Sequence, residues 1–277
     1  MGLKNFSLAL GFFMILANSQ IGAQENVAQQ FQGFNLSGYT DEGEKSWDVK
    51  GDTADILGDT VAITNVDANQ YGEYPINIKA KKGLIDKSSG DIDLKEDVVI
   101  TAENGSQLKT DTLKWQKEKD LVSTEDQVVL TDKTMVATGK GLQAKPQLQM
   151  AQLNQDVKVN VEADAGTPEQ EPVTITCDGI LEIDQRTSRA IFTDNVVAVS
   201  GNRKLKADRV EVFFDTDSQK LVKMICTGNV VITQDDNTTY SEKAVYDALM
   251  EKFILTGRPK LILIPENGDS LSSDFSQ

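Results

Sequence analysis

The residues able to carry chemistry are few. Histidine is absent from the 277 residues, which removes Ser-His-Asp triads, Cys-His dyads and His-bearing zinc sites. The acidic pairs Asp91/Asp93, Asp215/Asp217 and Asp235/Asp236 have a spacing that calcium binding or acid-base catalysis can use. Each falls in a stretch that reads as a turn, where Asp is ordinary, and no EF-hand or glycosidase pattern surrounds it. The two cysteines, Cys177 and Cys226, leave two readings open: a disulfide in an oxidising compartment, or two separate buried thiols. The residues therefore point away from an enzyme, from a metal site and from any cofactor.

Bulk properties narrow the class. Hydrophobic residues make up 39% and charged residues 26%, as in ordinary globular proteins. A net charge of −15 offers no basic face to displace phosphate counterions, so nucleic acid is not an expected partner. The same charge opposes simple docking on an anionic membrane. At the N-terminus, Lys4 precedes the apolar run Phe6–Ala17, and small residues follow up to Ala23. Residues 1–23 read as a secretory signal, with an uncleaved anchor as the alternative, because the run is short for a membrane span.

The elements that must position any site are strands. A phrase of Asp, Asn or Gln, then Val, then alternating residues recurs as Asp97-Val98-Val99-Ile100, Gln127-Val128-Val129-Leu130 and Asp156-Val157-Lys158-Val159. It returns as Asn195-Val196-Val197 and Asn229-Val230-Val231-Ile232. Between copies lie strands such as Leu113-Lys114-Trp115 and Ala207-Asp208-Arg209-Val210-Glu211-Val212, and Asp/Ser/Gly turns such as 86–91 and 214–220. The unit reads as strand, turn, strand, with a further strand carrying the Asx-Val phrase, at a period of about 30 residues. Helical periodicity is missing after the signal segment, so the chain is expected to be all-β.

Alternation assigns the faces. Val98, Ile100, Leu113, Trp115, Val128, Leu130, Val157 and Val159 point inward in the first half; Val196, Val210, Val212, Phe214, Val230 and Ile232 do so in the second. Lys114, Lys158 and Glu211 fall on the opposite face. Such a face is either a filled core or an apolar groove open to a ligand. With no amphipathic helix to cover it, two facing layers of strands with a common interior are expected.

The repeated order of these phrases resembles the OstA-like β-jellyroll of the lipopolysaccharide transport (Lpt) bridge. Residues 32–162 resemble the LptC component through Trp47-Asp48-Val49-Lys50-Gly51-Asp52, Gly83-Leu84-Ile85-Asp86 and Val136-Ala137-Thr138-Gly139. Residues 172–265 resemble the LptA/OstA component through Pro172-Val173-Thr174-Ile175-Thr176-Cys177-Asp178, Phe192-Thr193-Asp194-Asn195-Val196 and Gly228-Asn229-Val230. The acidic stretch 163–171 reads as the linker and 266–277 as a polar tail. The resemblance implies two consecutive jellyroll lobes in the periplasm. Their fourteen inward residues would bind the acyl chains of lipopolysaccharide, and edge strands would join other Lpt proteins or a second copy. Each acyl CH₂ kept from water is worth about 0.8 kcal/mol, so a twelve-carbon chain gains roughly 10 kcal/mol from such a groove. The alternative is a secreted structural sandwich, solenoid or adhesin-like protein with a filled core.

Overall fold

Val, Ile and Thr alternating with polar residues build strands here that are mostly eleven residues or longer, about twice the length of the repeated phrases. The computed structural model describes residues 29–72, 74–162, 171–215, 220–250 and 252–262. The expected export segment 1–23, linker residues 163–170, the tail 266–277 and Asp217 lie outside the described residues.

The first nine strands are β1 (Gln29–Tyr39), β2 (Lys45–Leu57), β3 (Thr60–Gln70), β4 (Ile76–Asp86), β5 (Ile92–Ala102), β6 (Gln107–Gln116), β7 (Leu121–Thr131), β8 (Met135–Lys145) and β9 (Met150–Val161). They form an antiparallel meander, each paired to the next. Then come β10 (Val173–Cys177) and β11 (Leu181–Asp184), two pieces of one course, each paired with β9 on one side and β12 (Arg189–Ser200) on the other. The meander continues through β13 (Arg203–Phe214), β14 (Leu221–Gln234) and β15 (Asn237–Asp247). It ends in another split course, β16 (Lys252–Thr256) and β17 (Lys260–Ile262), both on β15. All seventeen strands belong to one sheet, which confirms the all-β jellyroll reading. The sheet runs uninterrupted from β9 into β10, so strands on both sides of the expected linker share it. The only helical element among the described residues is a 3₁₀ turn, Pro146–Leu148, and no helix there is long and apolar enough to cross a membrane.

A single sheet can bury one face only by folding over itself, and the bend is written into each strand. The register breaks near the middle of successive strands, at 79/82, 95/98, 109/114, 124/127, 193/196, 206/209 and 227/230. At this line the backbone turns left-handed at Glu96, Asp97, Asp156, Asp194, Asn195 and Asn229, and at Gly141 and Gly228. Asp, Asn and Gly tolerate that conformation, and extra residues of this kind bend a strand sharply. The Asn or Asp of the repeated phrase is therefore the crease of a long strand, not the start of a separate one. The turns expected at 86–91 and 214–220 do join strands, and the correction is to the further strand: the Asx-Val phrase continues the strand that precedes it. Side chains bridge the crease from strand to strand: Asn195 Nδ2 donates to Asp178 Oδ2 at 2.8 Å, and Asn229 Nδ2 donates to Asp208 Oδ2 at 2.9 Å.

Each strand thus runs from one rim of the folded sheet, through the crease, to the other rim. Lip A is formed by the turns β2–β3, β4–β5, β6–β7, β8–β9, β11–β12, β13–β14 and β15–β16. Lip B is formed by the intervening turns. Near lip B, Asp48 is buried on the outer face of β2 and accepts hydrogen bonds from Asn69 Nδ2 (2.8 Å) and the Tyr71 hydroxyl (2.7 Å), with the Lys45 ammonium beside it. Burial pushes its carboxyl up, but the bonds from Asn69, Lys45 and Tyr71 outweigh that and bring it down to about 2.

Two predictions follow from local geometry. Asn229→Val places a β-branched residue at a left-handed position and removes the bond to Asp208, so it is expected to destabilise by about 2 kcal/mol. Asn229→Gly, which keeps the conformation accessible, costs less; urea unfolding of both variants checks the order. Asp48 has a folded pKa below its ordinary 3.8, so its contribution is present above that pH and is lost as pH falls toward 2. Between pH 5 and pH 3 wild type should lose about 1 kcal/mol that Asp48→Asn does not lose, read from urea midpoints at pH 5, 4 and 3.

Candidate functional site: the apolar interior

Register places the inward side chains in files that cross the whole sheet. On the lip-B wall one file starts at Leu36 on β1 and passes Val49, Ala68, Ile78, Ile100 and Leu108. It continues through Leu130, Ala137, Val159 and Ile175 to Ala198, Leu205 and Ile232. It ends through Thr239, its one polar member, at Leu261 on β17. On the lip-A wall a second file runs from Ile56 through Val61, Ile85, Ile92, Trp115 and Val122 to Ala144 and Ala151. Ile183, Ala190, Val212, Met224, Tyr246 and Phe253 extend it to β16.

A further file lies just inside the crease. There Val98, Val128, Val157, Val196 and Val230 stand opposite Thr110, Gly139, Cys177, Ala207 and Ser241. Large and small side chains alternate because neighbouring strands cross the crease differently. Inward residues are four apart on β5 (Leu94, Val98) and three apart on β6 (Thr110, Leu113). At Gly139 a Cβ would sit 3.2 Å from the Gln155 carbonyl oxygen and 3.3 Å from Leu153, so the fold leaves little room for a side chain there.

Every one of the fourteen residues expected inward lies on this interior. Ile100, Leu130, Val159 and Ile232 are in the lip-B file, Trp115 and Val212 in the lip-A file, and the five valines at the crease. Leu113 and Val210 lie between. All are buried in the core except Phe214 and Ile232, which are half-buried against it. Lys114 and Lys158 are exposed on the outer face, and Glu211 there meets Arg209 at 3.2 Å and Arg189 at 3.7 Å. Reading from single phrases missed Leu108, Leu142, Leu153, Leu181, Phe192 and Leu205, all buried. Their signal was the same alternation, as in Leu205-Lys206-Ala207, in half-strands that lack the Asx-Val phrase.

The interior is filled in its middle and open at its ends. Val98, Leu108, Val122, Val128 and Val196 have no exposure, whereas Leu36 at one end is 47% exposed and Leu261 at the other 57%. Cys177 and Cys226 are free thiols on β10 and β14, which β12 and β13 separate, so the disulfide left open by the sequence is not made. Burial pushes Cys177 up to about 11 and Cys226 to about 12, which keeps both as neutral thiols. Of the acidic pairs, Asp91 caps the backbone N–H of Lys117 and Asp235 accepts from Asn202 Nδ2; both sit in turns, as expected. What this interior offers a ligand is continuous, non-directional apolar contact. Two polar groups on the interior, the Trp115 indole N–H and the Ser241 hydroxyl, are buried without a hydrogen-bond partner among the described residues.

Comparison with protein families agrees with this architecture. The family model described as lipopolysaccharide-assembly, LptC-related, matches residues 10–162. The model described as LptA/(LptD N-terminal domain) LPS transport protein matches residues 174–274. A search of curated proteins finds no match. The chain belongs to the LptC-related family of lipopolysaccharide assembly and carries, in the same polypeptide, a following segment of the LptA/LptD N-terminal type.

Proposed function

We propose that this protein is a non-enzymatic bridge component that shields the acyl chains of lipopolysaccharide as they cross the periplasm, entering the aqueous gap at one end of the sheet and leaving at the other. The observation that carries this reading is the run of inward files across the sheet, one reaching from β1 to β17 and apolar at every position but Thr239, which a core made only for stability does not need to keep in line. The family assignments supply the substrate class. In this reading residues 1–23 direct export or anchor the chain, 32–162 form the LptC-like part, and 172–265 form the LptA-like part joined by 163–171.

The energetics favour a sliding path. For acyl chains to enter the filled middle, the two walls part about the crease. Contacts between walls are exchanged for contacts between wall and lipid, apolar for apolar, so the exchange itself is nearly neutral. The gain is the removal of lipid from water, about 0.8 kcal/mol per CH₂. The ends are already open, and Leu36 and Leu261 extend the interior to the outermost strands. The edges of β1 and of β16/β17, which have no second partner strand among the described residues, are suited to pairing with strands of neighbouring bridge proteins or of a second copy.

A second reading, a structural β protein with a permanently filled core, is favoured by the complete burial of Val98, Leu108 and Val122. Photo-crosslinking separates the two. Probes at Trp115 and Val212, with Lys114 and Glu211 as outward controls, are expected to capture added lipopolysaccharide at the inward pair only. A folded protein that captures none at either inward site is a filled core.

A further inference from the structure

The two lips of the folded sheet carry very different charge. At lip B the turns present Asp41 and Glu42, Glu103, Asp132, Glu171 and Asp235, and the one base among its described turn residues is Lys133. At lip A the described turn residues carry Lys87, Lys117, Lys119, Arg186 and Lys220 together with Asp59, Asp91, Glu118, Asp120 and Asp215, so their charges balance while those of lip B are acidic. Two of those acids are engaged with the backbone of the next turn along the lip. Asp91 Oδ1 accepts the Lys117 N–H at 3.0 Å, and Asp120 Oδ2 accepts the Gln147 N–H at 2.8 Å. Arg186 also lies 3.8 Å from Asp184, whose carboxylate accepts the backbone N–H groups of Arg186 and Thr187. Successive turns on one lip are two strands apart, about 10 Å, so the cations form a spaced row along the mouth. A field directed from lip A to lip B therefore crosses the opening of a strongly acidic protein.

A second observation marks the same lip. Trp115 is an inward residue one position before the end of β6, immediately below the turn that carries Lys117 and Lys119. Its buried N–H lacks an acceptor among the described residues. A buried donor without a partner is costly, and this one lies on the last inward position of β6, next to the lip-A turn.

We propose that lip A is the headgroup track: the phosphates of the transported lipid rest on Lys87, Lys119, Arg186 and Lys220, and the Trp115 N–H donates to a carbonyl oxygen at the head of an acyl chain. Lip B repels the same phosphates and fixes the orientation of the lipid in the mouth. This inference rests on the lipid-path reading above and adds the side on which the head travels. Each cation holds a phosphate only by long-range attraction, so the head moves from one turn to the next without a tight intermediate.

The test uses the full-length protein with a photo-crosslinker at Ile100 and two probes in detergent micelles: lipid A bearing both phosphates, and dephosphorylated lipid A with the same acyl chains. Wild type is expected to bind the phosphorylated probe at least tenfold more tightly, with the difference shrinking as salt rises. Lys119→Glu/Arg186→Glu/Lys220→Glu should abolish that preference and leave capture of the dephosphorylated probe unchanged, while Trp115→Phe should weaken both probes severalfold. Neutralising lip B with Asp41→Asn/Glu42→Gln/Glu103→Gln is a surface change expected to raise affinity for the phosphorylated probe alone. Capture of both probes with no preference, or a preference that survives the lip-A reversal in a protein of unchanged melting temperature, overturns the headgroup track alone. Capture of neither probe by wild type overturns the lipid path and the track together.

Discussion

A sheet with an apolar face and no helix to cover it must bury that face against itself. The rest of this molecule follows from that constraint. Folding requires the strands to bend along a common line, and several of them do so at residues that accept left-handed backbone: Asp97, Asp156, Asn195 and Asn229, or glycines such as Gly141 and Gly228. Hydrogen bonds from Asn195 to Asp178 and from Asn229 to Asp208 join neighbouring strands at the crease.

The crease also sets what the interior can be. Next to it the walls are closest, and Val on one strand meets Gly, Ala, Thr, Ser or Cys on the next. Farther out, the files carry Leu, Ile, Trp and Phe. The result is a wedge-shaped apolar space that is sealed along its middle, open at both ends, and bounded by one acidic lip and one lip of balanced charge. Such a space suits a ligand that is itself apolar, flexible and capped by a charged head. Contacts along the files are almost all non-directional, which favours movement along them.

Much of this was legible in the sequence. The alternation around Val98, Val128, Val157, Val196 and Val230 placed all five on the correct face, and the residue before each Val marked where the chain does something unusual. The nature of that event was not legible. An Asx residue before a Val-rich run looks like a turn, because turns and creases use the same left-handed tolerance. Only the pairing of β5 with both β4 and β6, on both sides of Glu96-Asp97, shows that the strand continues through it. The inward half-strands around Leu108, Leu153 and Leu205 were passed over because their flanking residues carry no such mark. The separation of Cys177 from Cys226 depends on strand order, which spacing along the chain does not encode.

The central claim is that the two walls part about the crease to admit acyl chains. It is tested most directly by pulsed electron spin resonance between labels at Glu103 on lip B and Glu118 on lip A, in a background with Cys177 and Cys226 replaced by alanine. The turns holding them lie at the two ends of β6, so their separation reports the width of the mouth. The account predicts a single short distance in the free protein that lengthens when lipopolysaccharide is added. An unchanged distance in a sample shown to have lipid bound would contradict it, and would mean that the filled interior is the permanent core.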